Sequence, residues 1–334
     1  MFQLDRVAVR GFLLSLACLL AGCAGVARPA FIYSPYKHVN RSIDPAMPVV
    51  TAPVSGRVVP YASQSDAPAL TWAFATGECG QETWGGISGE QMARINVPMF
   101  VHARRGYIVS TGGEGGGFTC ASEAGMEIFI RRYASDFLLG IDFDIEAGQT
   151  PEQIQALVRS VKAVREHHPQ LRFSFTLATH AAADGSGRSL NRLGETVLSA
   201  IRLLDLADFR INLMVMNYGS AEAAFCVPEG GRCSMGRSAL QAIDNVSARY
   251  GVPYAQIEVT AMLGENDVAS NVFTVEDAEM LARFAHERGL AGLHYWSLDR
   301  DTPCPPGAPR VSATCSGVSE PAGAFGRAFA AGLR

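Results

Sequence analysis

The sequence predicts a single (β/α)8 barrel over residues 31–334, and three observations predict it. Eight short, β-rich apolar runs recur along the chain, each followed by a stretch with helical patterning. No low-complexity linker, composition break or repeat of solenoid period divides them. One run interleaves three carboxylates with three bulky apolar residues, which is the pattern of a strand whose two faces meet different surroundings.

The candidate strands are 31–34, 69–75, 107–111, 138–144, 172–177, 211–216, 257–262 and 292–296. Capping chemistry marks helix starts between them. Thr150-Pro151-Glu152-Gln153 offers an N-cap hydroxyl, proline at the first helical position and Gln three residues after the cap. Thr274-Val275-Glu276-Asp277 opens another helix, with acids in its first turn and Gly289 as its stop. Eight β-then-α units in one domain of this size favour a closed parallel barrel over an open sheet. A doubly wound open sheet would carry a glycine-rich phosphate turn after an early strand. The glycines between 112 and 117 imitate one, but they follow the third candidate strand and match no G-x-x-x-x-G-K-S/T pattern, which argues against nucleotide binding.

The 334 residues are 48% hydrophobic and 18% charged, with a net charge of −4 and no basic block. This is a globular composition with no polyanion-binding surface, so nucleic acid is not an expected partner. The chain is expected to act as a monomer and without a cofactor.

Residues 1–22 read as an export signal: Arg6 and Arg10 precede an apolar run, 12–20, too short to span a bilayer comfortably. The run ends in Leu20-Ala21-Gly22-Cys23, which resembles the lipobox of bacterial lipoproteins. That resemblance implies cleavage before Cys23, diacylglycerol on its thiol, a short tether over 23–30, and anchoring to the cell membrane or outer membrane. The plainer alternative is an ordinary cleavage site nearby and a soluble exported protein.

Six cysteines then remain, and an even remainder in an exported chain reads as disulfides. A zinc site is the competing reading, but no C-x-x-C or H-x-x-x-H spacing supports it. The strand order suggests local pairs. Cys79 follows the second strand and Cys120 the third, so their loops are neighbours on the barrel's C-terminal face. Cys226 and Cys233 share the loop after the sixth strand, and Cys304 and Cys315 the loop after the eighth.

The interleaved run is Gly140-Ile141-Asp142-Phe143-Asp144-Ile145-Glu146. Strand alternation turns Ile141, Phe143 and Ile145 toward the helices and Asp142, Asp144 and Glu146 into the barrel. Three stacked acids in a confined interior resist simultaneous ionisation. They share protons, bind a cation or do chemistry, and the outermost is then held protonated near neutral pH, as a general acid requires. D-x-D could alternatively ligate a divalent metal, and a solvated acidic strand edge is the plain structural reading.

The run resembles the D-x-x-D-x-D-x-E signature of glycoside hydrolase family 18, the chitinase family, with Leu139 in place of its leading Asp. Further matches follow in order. Ser110-Thr111-Gly112-Gly113 is similar to the family's S-x-G-G, and Met214-Val215-Met216-Asn217-Tyr218-Gly219 to its M-x-M-D-Y-G, with Asn217 for Asp. The stretch 260–267 resembles T-P-M-I-G-x-N-D, and 295–301 resembles the W-S-L-N-R-D of the last strand. The resemblance implies substrate-assisted hydrolysis of N-acetylglucosamine polymers, in which the sugar's own N-acetyl oxygen is the nucleophile. Glu146 would be the acid and base, Asp144 would hold the acetamido N–H, and Asp142 would pair with Asp144. Tyr218 or Asn217 would hold the acetamido oxygen, Trp296 would floor the site, and Met214, Gly112 and Gly113 would line it.

Tyr36 is open between a sugar contact and packing. For Trp84 packing is preferred over a sugar platform, and His180 reads as a loop histidine. Glu114, after the S-x-G-G match, adds an acid where small residues are common. Between Met262 and Gly292 there is room for a loop and one helix, not for the α+β lobe of deep-cleft members, so a shallow groove acting on chitin or chitooligosaccharides is expected. An endo-β-N-acetylglucosaminidase acting on N-glycans and a non-catalytic glycan-binding lipoprotein are the alternatives.

Overall fold

The computed structural model describes residues 31–334, apart from 42–43, 55–56, 66 and 147. The export signal, Cys23 and the tether lie outside the described residues. Strand β1 runs as two segments, Ile32–Tyr33 and Tyr36–His38. It is followed by β2 (Leu70–Ala75), β3 (Tyr107–Gly112), β4 (Leu138–Asp144), β5 (Arg172–Ala178), β6 (Arg210–Met214), β7 (Ile257–Met262) and β8 (Gly292–Trp296). Neighbours pair in chain order and in parallel, making a (β/α)8 barrel. The ring closes through β1: Ile32 and Tyr33 pair with Gly292 and Leu293 of β8, and Tyr36 to His38 with Thr71 to Ala73 of β2. Pro35 stands between the segments. It has no N–H to give, but its carbonyl accepts from the Thr71 N–H at 2.9 Å, so the strand is handed from one neighbour to the other.

Helices α1 (Gly89–His102), α2 (Glu123–Tyr133), α3 (Pro151–Arg165), α4 (Arg192–Leu203), α5 (Met235–Tyr250), α6 (Val275–Arg288) and α7 (Ala324–Gly332) follow β2 to β8. The expected eighth helix, after β1, is replaced among the described residues by 3-10 turns and the hairpin Thr51–Val54 with Arg57–Pro60. Pro45, Pro48, Pro53, Pro60 and Pro68 fall too close together for an α-helix to propagate there. The two capping signals act as read. Thr150 and Gln153 form a capping box on α3, Thr274 and Asp277 one on α6, and Gly289 ends α6 at φ 65°. Between β7 and β8 lie the short hairpin Gly264–Glu265 with Val272–Phe273 and helix α6, with no inserted lobe.

Outward side chains such as Val109, Ile141, Phe143, Phe175, Leu213 and Val259 pack under the helices in one continuous apolar core. Inside, the barrel is polar and layered. At its N-terminal end Arg172 Nη1 meets Glu258 Oε1 at 2.5 Å, and His294 Nε2 lies 3.4 Å from the other Glu258 oxygen. Disulfides join Cys79 to Cys120, Cys226 to Cys233 and Cys304 to Cys315, the local pairs the strand order suggests. Among the described residues no helix is long and apolar enough to cross a membrane.

Candidate active site

A cavity of about 640 Å³ opens at the C-terminal ends of the strands, and every strand contributes to it. Tyr36, Phe74, Gly112, Asp144, Thr176, Met214, Thr260 and Trp296 line it, one from each strand in order. This is where a parallel barrel gathers loops around its interior residues.

The three acids climb toward it. Asp142 is deepest, 1% exposed, and lies in register with Ser110 on β3 and Ser174 on β5. Four hydroxyls donate to its carboxylate: Tyr36 (2.9 Å) and Ser110 (2.6 Å) to Oδ2, Ser174 (2.7 Å) and Thr176 (2.7 Å) to Oδ1. Asn212 Nδ2 donates to the Tyr36 and Thr176 hydroxyls in turn, and Thr260 Oγ1 donates to Asn212 Oδ1. Burial pushes the Asp142 carboxyl up, and the hydroxyls pull back toward the ionised form. Among the described residues no hydrogen bond joins Asp142 to Asp144, and Asp142 acts on Asp144 as a like charge. The deeper carboxylate is fully served by hydroxyls, and the two acids interact only through space.

Asp144 is one rung higher and 5% exposed, and its Oδ1 has no hydrogen-bond partner. Burial, with Glu146 and Asp142 as like charges, pushes its carboxyl well above the usual range. Gly112 faces it in register at φ 85°, and a Cβ there would lie 2.1 Å from the Asp144 carbonyl oxygen. The S-x-G-G match thus has a physical reason: only glycine lets β3 and β4 approach so closely. Gly113 is also at positive φ and packs on the Phe74 ring, beneath the cavity wall.

Glu146 is half-buried at the mouth. Desolvation first, then the nearby Glu114 carboxylate and Asp267, push its carboxyl up to about 6, while the Glu114 backbone N–H donates to it and opposes the rise. A carboxyl with that value keeps a proton in part of the population near neutral pH, which suits a general acid. Glu114 is exposed and lines the cavity, so the added acid acts on Glu146 directly.

Trp296 forms one wall, stacked on Phe74 at 5.5 Å between ring centroids, with His38 at 5.4 Å and Tyr36 at 6.3 Å. Burial, with Arg41 and Lys37 nearby, pushes His38 down to about 4, so it is neutral at neutral pH. Phe74 reaches the cavity because β2 slips register between Trp72 and Ala75. Met214 and Asn217 line the cavity, whereas Tyr218 does not: it is 2% exposed, and its backbone N–H is bound by Asn271. Asn217 stands at φ 52°, donates to Asp267 Oδ2 at 2.7 Å and accepts from the Val268 N–H, clamping the β6 and β7 loops together. Trp84 is fully buried and donates to the Tyr133 hydroxyl, a packing role. His180 lies in a separate shallow groove. Sequence reading did not single out Phe74, His38 or Asp267 as site residues. Asp267 stood inside a quoted motif, and Phe74 needed the register slip to be visible.

No known family profile matches the chain. Among curated proteins it is 26% identical over 202 residues to a probable bifunctional chitinase/lysozyme of Escherichia coli K12, covering 57% of this chain and 22% of that protein. It is 30% identical over 118 residues to endochitinase 11 of Metarhizium anisopliae, covering 33% of this chain and 23% of that protein. The matches thus span less than a quarter of either relative's length. Among solved structures, the catalytic domain of a hyperthermophilic chitinase from Pyrococcus furiosus superposes with a TM-score of 0.65 at 24% identity, over 91% of this chain and 95% of that one. Catalytic-site mutants of a P. furiosus chitinase active domain complexed with chito-oligosaccharides give 0.64 at 23% identity, with the same coverage. The barrel is the fold of chitinase catalytic domains.

Proposed function

We propose that this chain is a retaining glycoside hydrolase cleaving β-1,4-linked N-acetylglucosamine in chitin or chitooligosaccharides, with Glu146 as acid and base. The observation that carries the reading is the unpartnered Asp144 Oδ1, buried at the cavity floor between a saturated Asp142 and the half-buried Glu146. Leaving such an oxygen without a donor costs about 1–3 kcal/mol, and the acetamido N–H of a sugar against Trp296 would supply the donor. Glu146 would protonate the glycosidic oxygen as the bond to C1 breaks, while the acetamido oxygen bonds to C1. The resulting oxazolinium is positive, and that charge favours ionised Asp144, reversing the like-charge effect of the empty cleft. Water would then add to C1 from the face the leaving group vacated, breaking the C1–O bond of the oxazolinium to restore the acetamide and giving its proton to Glu146. Asn217, which lines the cavity, or Tyr218, whose buried hydroxyl has no hydrogen-bond partner, would meet the acetamido oxygen.

The protein is further read as an exported lipoprotein held by Cys23 and acting as a monomer. Three disulfides support an oxidising compartment. Chitotetraose digested in an NMR tube tests the reaction: β-anomer should dominate the first spectra, and early α-anomer would refute the retaining scheme. A high-mannose glycopeptide should remain uncut, and its cleavage would favour the endo-β-N-acetylglucosaminidase alternative.

A further inference from the structure

The charges around the cavity are not balanced. Asp144, Glu146, Glu114 and Asp267 line it, against Arg41 and Arg300. Arg300 is buried and its guanidinium is spent on the backbone carbonyls of Leu263, Glu265 and Ser312, with Asp267 close enough to favour its charged form. Asp267 accepts from Asn217, and Arg310 binds its carbonyl oxygen. His38 is neutral. Glu114 is different: its carboxylate is exposed to the cavity and has no ion-pair partner among the described residues. Its carboxylate raises the Glu146 carboxyl and its backbone N–H lowers it, so that unpaired charge lies beside the group that would protonate the glycosidic oxygen. The unpartnered Asp144 oxygen, assigned above to the acetamido N–H of the sugar over Trp296, lies in the same cavity.

Building on the proposed function, we infer that Glu114 is a specificity-determining residue that accepts the ammonium group of a deacetylated glucosamine unit, so that the preferred substrate is partially deacetylated chitin rather than the fully acetylated polymer. The sugar over Trp296 must keep its acetyl group, because that group supplies the nucleophile. A neighbouring unit need not, and a free amine there would place a cation against Glu114. A fully acetylated chain offers that carboxylate only an amide. A solvent-reachable pair of this kind is worth about two- to five-fold in binding, and salt weakens it.

The test compares a fully acetylated chitotetraose with tetramers of the same length carrying one free amine, at low and high salt. The wild type should favour the amine-bearing tetramers in kcat/KM by about two- to five-fold, less at high salt. Glu114→Gln should bring the ratio to one; its effect on Glu146 applies to both substrates and cancels. Equal or higher kcat/KM for the acetylated tetramer in the wild type, or a preference retained by E114Q, would overturn the inference. No turnover of either substrate would instead refute the glycosidase reading. Calorimetric binding of the same tetramers to E146Q and to E146Q/E114Q would then decide the inference by the same ratio, without turnover.

Discussion

Replacing Glu114 by Gln removes one carboxylate beside Glu146 while keeping the backbone N–H that donates to it. Two influences of this residue oppose each other: the carboxylate raises the Glu146 value and the N–H lowers it. The variant deletes only the first, so the sign is fixed and the Glu146 carboxyl must fall from about 6. An exposed charge at this range is worth roughly 0.3–1 kcal/mol, and 1.36 kcal/mol corresponds to one pKa unit, so the fall is about 0.2–0.7. Glu146 donates a proton in the first step, hence activity is present below its pKa and is lost as pH rises through it. The alkaline limb of kcat/KM should therefore lie near pH 6 in the wild type and shift to lower pH by about 0.2–0.7 in the variant. The assay is initial rates on chitotetraose from pH 4 to 9 in constant-ionic-strength buffer. An alkaline limb that stays put or moves upward would refute the electrostatic account of Glu146.

Two further outcomes concern the barrel itself. Glu258 is 1% exposed; burial raises its carboxyl, but Arg172, His294 and Arg210 outweigh this and hold it at about 2. Its stabilisation is therefore present above the ordinary carboxyl range and is lost as pH falls toward about 2. Glu258→Gln should cost about 3–5 kcal/mol at pH 7 and flatten the acid limb of stability, read by urea unfolding against pH; wild-type stability would contradict the assignment. Gly112→Ala should destabilise by about 1–3 kcal/mol and depress turnover, because its Cβ would collide with the Asp144 carbonyl. A fully active, equally stable G112A would show that β3 and β4 can separate freely.

Most of the barrel was legible because strand periodicity and capping are local signals. The alternation at 140–146 oriented the acids, and the caps at Thr150 and Thr274 act as the sequence suggests. What was missed is set by tertiary geometry. β1 was expected over 31–34 but continues as Tyr36–His38 beyond Pro35, because a second neighbour takes up the ladder. β6 was expected to reach Met216 but stops at Met214, before Asn217 turns to positive φ to reach Asp267. The partners of Asp142 were invisible too: its four hydroxyl donors come from β1, β3 and β5, and no spacing along the chain announces such a set.

The central claim is that Glu146 moves the proton at the glycosidic bond, and Glu146→Gln tests it most directly. Turnover of chitotetraose by folded E146Q, monitored by product mass spectrometry, should fall by about 10²–10⁴-fold, while the far-UV spectrum and unfolding midpoint stay those of the wild type. Wild-type turnover by E146Q would contradict the account.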